Sequence, residues 1–512
     1  MNSKIMSAND AIALVKSNDV LSIAGFVGVG VPDELLIALE ERFLSTSNPI
    51  NLTLMFTAGP GDGKQRGLNR IAHAGLIKRT IGGHYGLAPK LGNLAISGKI
   101  EAYNFPQGIV SQMYREIAAG KPGIVSRVGL ETFVDPRIEG GKVNKNTTEE
   151  LVEVVTLGGE ELLFYKAIKI DVAFIRGTSA DPKGNISMER EALRIDNLAQ
   201  AMAAKNSNGL VIAQVERIVE QDSLNPRIVE VPGVMVDAVV VAKSENHVQT
   251  YATVYSPYLD GHAKLSVEEV TPTPLDFRKV ICRRASLELK KYQGVINLGI
   301  GVPEGVASVA REEGWLGDVT LSAEPGVIGG QPSSGLDFGT AVNTDVIITQ
   351  NQQFDFYDGG GLAAAVLGMA QVGARGDVNV SRFGSRFTGA GGFVNISQNA
   401  KNLIFCGAFK SGGLQVNVFE GYLEIKREGK IQKFVNSVEQ ITFSGDRAAK
   451  KGQSVLYITE RCVFELSLDG VRLIEVAPGV DIERDIVSHM GFEPLIENPQ
   501  EMDSNIFISG SI

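Results

Sequence analysis

The sequence predicts an α/β protein built from two related open α/β domains in tandem. Three observations predict it. A plan of helix, strand and Gly-Val-Pro turn occurs twice along the chain. Glycine fills 58 of 512 positions, as many tight strand-to-helix turns require. Hydrophobic residues make up 44%, enough to bury large cores, and at roughly 150 residues per domain the length allows two large domains or about three smaller ones.

In the first copy a helix is expected over 10–16, with Ser7 as its cap, then a strand over 20–24 and the turn GFVGVGVPDELL from Gly25. In the second, Phe277, Val280, Ile281 and Ala285 fall on one helical face. A helix is therefore expected over 277–290, capped by Asp276, followed by a strand over 294–298 and the turn GIGVPEGVASV from Gly299. Pro32 and Pro303 suit a first helical turn, and Asp33 and Glu304 suit its positive end. With Gly30 aligned on Gly301, the likeness continues. A strand over 51–56 leads into TAGPG at Thr57, and a strand over 319–322 leads into AEPGVIGG at Ala323. KGNIS at 183–187 resembles GDVNVS at 376–381, and NSNGLVIA at 206–213 resembles NAKNLIFC at 399–406. The expected domains are 1–268 and 277–512, joined through 267–277, where VEEVTPTPLDF carries two prolines and little apolar pattern. A tandem pair of related halves offers a ligand site where the halves meet.

Charge and composition exclude several classes. The net charge is −10 with no Lys/Arg block, so no nucleic-acid partner is expected, and an anionic ligand needs a local basic pocket. No apolar run reaches 18 residues and residues 1–10 hold no apolar core, so neither a membrane span nor a secretory signal is expected. The three cysteines, Cys282, Cys406 and Cys462, are widely spaced, which argues against a disulfide framework and favours a reducing compartment. His73, His84, His247, His262 and His489 form no ligand pair, so no metal site is expected, and they read as structural or surface residues. The Gly25/Gly28/Gly30 and Gly299/Gly301/Gly305 groups miss the GxGxxG spacing of dinucleotide sites. There is no GxSxG elbow and no GxxxxGK[ST] phosphate loop.

Chemistry is sought where the copies diverge. The first offers Thr57-Ala58-Gly59, whereas the second offers Ala323-Glu324-Pro325-Gly326. This places a carboxylate on a turn at a strand's C-terminal edge, where open α/β sheets bind ligands. An ordinary loop glutamate paired with an arginine fits the same pattern. DGGGLAAAVLGMA at 358–370 reads as a glycine loop opening a helix, a place to hold an anion. TGAGGFVNI at 388–396 reads as a tight glycine turn whose N–H groups suit an oxyanion hole, although close backbone packing explains either segment as well. AYNFPQG at 102–108 precedes an amphipathic helix, and Gln107 is a neutral donor that would not compete in charge with a carboxylate.

With Glu324, Gln107 and the glycine turns in view, the chain resembles the family I CoA transferases, in particular the single-chain acetate/propionate type that fuses both subunits of the two-subunit enzymes. The likeness runs from end to end and keeps its order. Glycine turns of the SGFVG kind match 24–30, EAYN..QG matches 101–108, and KPG..S.VG matches 121–129. FDFYDGGGL matches 354–362, GNVNVSRFG-like sequence matches 376–384, and YITERCVF matches 457–464. The family's glutamate falls on Glu324. Many members carry Glu-Asn-Gly there, and this chain departs from them with Pro325.

The resemblance implies a CoA transferase-like fold and ping-pong chemistry. The Glu324 carboxylate attacks an acyl-CoA, the released thiolate attacks the resulting glutamyl anhydride, and a glutamyl-CoA thioester forms that an incoming acid reverses. Oxyanion donors would be the Gln107 side chain and an N–H of Gly391 or Gly392. Gly299, Gly301, Val302, Pro303 and Gly389 would line the pantetheine arm, and Lys410 would meet a CoA phosphate, a solvated lysine being the alternative. CoA enters as substrate and no resident cofactor is implied. A cytoplasmic homo-oligomer, tetramer or dimer, is expected. An acyl-CoA hydrolase on the same scaffold and a catalytically silent binding protein remain as alternatives, separable by whether CoA release needs an added acid and by Glu324→Ala.

Overall fold

Val172–Ala180 is buried at every position, as a strand covered on both faces must be. It lies inside a sheet whose parallel strands run in the order Ala238–Val241, Leu210–Ile218, Val172–Ala180, Val20–Ile23, Leu52–Phe56, Ile77–Gly82, Glu101–Asn104. Two short antiparallel strands, Ile186–Ser187 and Val229–Val231, extend it. The computed structural model describes residues 4–266, 273–419 and 421–510. A second sheet carries Ser454–Ile458, Asn402–Cys406, Leu362–Gly368, Val295–Leu298 and Thr320–Ala323 as parallel neighbours in that order. Cys462–Ser467 and Gly470–Val476 continue it antiparallel.

The duplication read from sequence therefore recurs as topology. In each sheet the strand after the first helix sits centrally, the strand that follows the Gly-Val-Pro helix pairs on one side, and a later strand, Val172–Ala180 in one sheet and Leu362–Gly368 in the other, pairs on the other side. Such a reversal of direction leaves a crevice at the carboxyl ends of the strands. Local signals explain the elements. Ser7 accepts from the Asp10 N–H and caps Ala8–Ala13, a shorter helix than the expected 10–16. Asp276 accepts from the N–H groups of Arg278 and Lys279 and caps Phe277–Leu289. Pro32 and Pro303 precede Asp33–Thr46 and Glu304–Glu312.

One expectation fails. The glycine-rich segment at 358–370 does not open a helix, because Leu362–Gly368 is a strand. Alanine favours helices in isolation, but here Ala364, Ala365 and Val366 are fully buried between two parallel neighbours. Burial on both faces and ladder bonds outweigh a propensity of under about 1 kcal/mol per residue. The helix lies before the glycines, at Gln350–Asp358.

Packing groups the chain into two compact units. One holds Met1–Leu265, Ala323–Asp355 and Arg386–Asn395, and the other holds Ser266–Ser322, Phe356–Ser385 and Ile396–Ile512. The join expected at 267–277 lies partly outside the described residues. Two segments expected with the second domain, 323–355 and 386–395, thus group with the first. An apolar cluster explains the first of these. Phe26, Val27, Val29 and Ala58 pack with Ala323, Val327, Phe338 and Ala341, and Phe26 stacks on Phe338 at 6.0 Å. The second unit has its own core around Val280, Ile281, Ile296, Val366, Ile404 and Val463. Cys282, Cys406 and Cys462 are buried there as free thiols. Among the described residues, no helix is long and apolar enough to cross a membrane.

Candidate active site

Two strand ends of the first unit and two segments of the chain's second half build the site. The strand Ile77–Gly82 runs into Gly83 and His84, and the strand Glu101–Asn104 runs into Gln107, the first residue of the helix Gln107–Ala118. Asn104 clamps these edges. Its amide donates to Gly82 O at 2.9 Å and Gly83 O at 2.7 Å, while its oxygen accepts from the Ala390 N–H at 2.9 Å. The turn at 388–392 is thereby held in register. The Gly391 N–H donates to Gly83 O at 2.7 Å, and the Gln107 N–H donates to Gly391 O at 2.9 Å.

Glu324 follows the strand Thr320–Ala323 and faces this turn. A Cβ on Gly392 would overlap Glu324 Oε2, so only glycine allows this approach. The Ile348 N–H donates to Gly326 O at 2.8 Å and pins the far side of the glutamate turn. The Glu324 carboxyl has no hydrogen-bond or ion-pair partner among the described residues. Burial, with no compensating charge, pushes it up to about 7. The loop glutamate neutralised by an arginine is therefore not what the fold contains.

The two glycine candidates separate. The Gly391 N–H is committed to Gly83 O and cannot serve as a free donor, which corrects that half of the expectation. The Gly392 N–H makes no backbone bond, and the glycine itself is packed against the carboxylate. Gln107 is buried at the first position of its helix, and its Oε1 lies 3.6 Å from where a Gly391 Cβ would stand. Gly389 belongs to the same turn and has φ of +75°.

The remaining candidates lie in the second unit. The Gly299 N–H donates to Val366 O at 2.8 Å. Gly301, at φ +89°, has open space where a side chain would be. Val302 O accepts from Cys282 Sγ at 3.3 Å, and Pro303 leads into the helix Glu304–Glu312. Lys410 Nζ is 3.3 Å from His489 Nδ1.

His84 was not singled out by sequence, yet it borders the 389–391 turn. Burial holds its imidazole down to about 4, so it is neutral near pH 7. Its one sequence signal is its place directly after two glycines at a strand end. Also missed were Asp196 and Gln350, buried polar residues that connect to Gln107.

An unpaired carboxylate seated against a glycine turn at the end of a parallel strand is suited to covalent acyl chemistry. The coenzyme A transferase family profile matches residues 5–242. The chain is 43% identical to the caffeate CoA-transferase of Acetobacterium woodii, over 98% of this chain and 97% of that one. It is 40% identical to the acetate CoA-transferase YdiF of Escherichia coli O157:H7, over 99% and 96%. A crystal structure of the acyl-CoA transferase YdiF from E. coli O157:H7, a thioester complex with CoA, superposes with a TM-score of 0.94 at 39% identity, covering 99% of this chain and 97% of that one. The chain belongs to the coenzyme A transferase family. It is an enzyme of that class, moving CoA between an acyl-CoA and a carboxylate.

Proposed function

We propose that this enzyme exchanges CoA between short-chain acyl-CoAs and short-chain acids of the acetate and propionate type, through a glutamyl-CoA thioester on Glu324. The observation that carries the reading is the unpaired, half-buried carboxylate of Glu324 packed against Gly392, whose N–H makes no backbone bond. The carboxylate oxygen attacks the thioester carbonyl, the C–S bond breaks, and an acyl-glutamyl anhydride and CoA thiolate result. The thiolate attacks the glutamyl carbonyl, the C–O bond breaks, and the first acid leaves as its carboxylate. The second acid reverses these steps. Each tetrahedral oxyanion is met by neutral donors, the Gln107 amide and the Gly392 N–H. The thioester's free energy is retained, so no phosphate donor is required.

Gly299, Gly301, Val302, Pro303, Gly389 and Lys410 are read as the CoA contacts. The halves 1–268 and 277–512 are read as a fused pair resembling alpha and beta subunits, which the repeated strand order supports. The enzyme is read as a cytoplasmic homo-oligomer, tetramer or dimer, with no resident cofactor. Acetate is the acid in the name of one relative and caffeate in that of another, so an exchange assay over C2 to C6 acids and an aromatic acid decides the preference. The covalent step is tested by mass spectrometry after incubation with an acyl-CoA and borohydride. Reduction to an alcohol at Glu324 is expected, and labelling at another residue would overturn the assignment.

A further inference from the structure

The two ends of a glutamine amide are nearly isosteric, yet only the nitrogen can donate to an oxyanion. A buried Gln107 useful to catalysis therefore needs something that fixes which end points where. Gln107 Nε2 lies 3.3 Å from Gln350 Oε1, and both side chains are buried. Gln350 has the same ambiguity, and a pair of glutamines alone could flip together.

A buried carboxylate removes the ambiguity. Gln350 Nε2 donates to Asp196 Oδ2 at 2.7 Å, and Ser111 Oγ donates to Asp196 Oδ1 at 2.7 Å. An ionised carboxylate only accepts. Gln350 must therefore present its nitrogen to Asp196, which turns its oxygen towards Gln107. Gln107 must then present its own nitrogen. Each orientation follows from the one before, and the chain starts at the one group whose polarity cannot be reversed.

We propose that Asp196 and Gln350 are positioning residues, which fix the Gln107 amide with one N–H on Gln350, so that the second N–H of the same nitrogen is left as a donor. This rests on Gln107 being an oxyanion donor in the proposed reaction. The relay is also tied to the nucleophile's turn. The Gln350 N–H donates to Ile195 O at 3.1 Å, and Ile348, two residues before Gln350, bonds Gly326. Asp196 is deeply buried, which raises its carboxyl to about 6 against the pull of its donors and of Arg115, so it is ionised at neutral pH.

The test is a double-mutant cycle with steady-state kinetics on the full-length enzyme. Asp196→Asn offers Gln350 a donor as well as an acceptor and permits the flip. Gln350→Met keeps the volume, leaves Asp196 its bond to Ser111, and deletes the relay. Each is expected to lower kcat about 10- to 100-fold, as loss of an outer-layer orienting bond does, with KM for acyl-CoA unchanged. In a Gln107→Ala background neither should lower kcat further, because there is no amide left to orient. Undiminished kcat in Gln350→Met, or losses that multiply with Gln107→Ala, would overturn the relay. If Gln107→Ala itself leaves kcat intact, the failure belongs to Gln107 as an oxyanion donor. A purely structural role for Asp196 would lower the amount of folded enzyme without sparing KM or depending on Gln107.

Discussion

Gly392 stands so close to Glu324 that any side chain on it would occupy the space of Oε2. The glycine is thus one wall of the carboxylate's seat, and its own N–H makes no backbone bond. Gly392→Ala must push the carboxylate away or shift the 388–392 turn. A displacement of about 1 Å at a reacting atom costs on the order of 100-fold. We expect kcat to fall by at least that factor while the unfolding temperature changes little, measured by exchange assay and calorimetry. Gly391→Ala, one residue earlier, strains a backbone at φ +56° and should show its effect mainly in stability.

Gln107 lies buried at the start of its helix, with its backbone N–H on Gly391 O. Gln107→Ala keeps that backbone bond and removes only the amide. Loss of one oxyanion donor typically costs about 100- to 1,000-fold in kcat. The KM for acyl-CoA should be unchanged, because the donor acts on charge that develops after binding.

Burial of the Glu324 charge sets a sign for stability. Between about pH 4.5 and 7 the unfolded chain has released this proton and the folded chain keeps it. Folding then takes up a proton, and stability falls as pH rises through that window. Glu324→Gln is neutral throughout and escapes the penalty. We expect the variant to gain roughly 1–3 kcal/mol on the parent between pH 5 and pH 8, the upper figure being reduced by the site's partial access to solvent. Urea unfolding at the two pH values measures it, and an equal difference at both would refute the buried-charge account.

Much of this was legible in the chain. The Gly-Val-Pro turns, the caps Ser7 and Asp276 and the doubled strand plan each rest on local chemistry, and a neighbour within a few residues suffices to produce them. Glu324 was visible because the copies differ there. What escaped depended on distance or on equivalence. Gln107 and Gln350 are 243 positions apart, and Gln350 and Asp196 are 154 apart, so no spacing rule connects them. Gly391 and Gly392 are chemically identical residues, and only the bond to Gly83 O distinguishes a committed N–H from a free one. The alanines at 363–365 were misjudged because ladder pairing on both sides, not propensity, decides a central strand.

Arg461, within the YITERCVF segment, tests the second unit. It is fully buried, with Nε on Glu460 at 2.8 Å, Nη1 on Glu428 at 2.8 Å and on Asp485 O at 2.9 Å. Glu460 is equally buried and holds the Phe409 N–H at 2.8 Å. Arg461→Met would leave the Glu460 charge unpaired, at a cost of about 3–5 kcal/mol. We expect a large drop in the urea midpoint, and activity lost in proportion to the unfolded fraction rather than through KM.

A pH–rate limb near 7 is usually assigned to a histidine, whose ordinary value is 6.5, and His84 borders this site. The structure assigns the limb elsewhere. Burial without a compensating charge pushes the two groups in opposite directions, the imidazole down to about 4 and the Glu324 carboxyl up to about 7. In the proposed reaction only ionised Glu324 attacks, so kcat/KM for acyl-CoA should rise about tenfold per pH unit below 7 and level off above it. His84 is already neutral across that range and contributes no limb. His84→Asn should therefore keep the limb at the same pH even if the maximum rate changes. A limb that vanishes with His84 would mean that the imidazole, and not the carboxyl, carries the titrating proton.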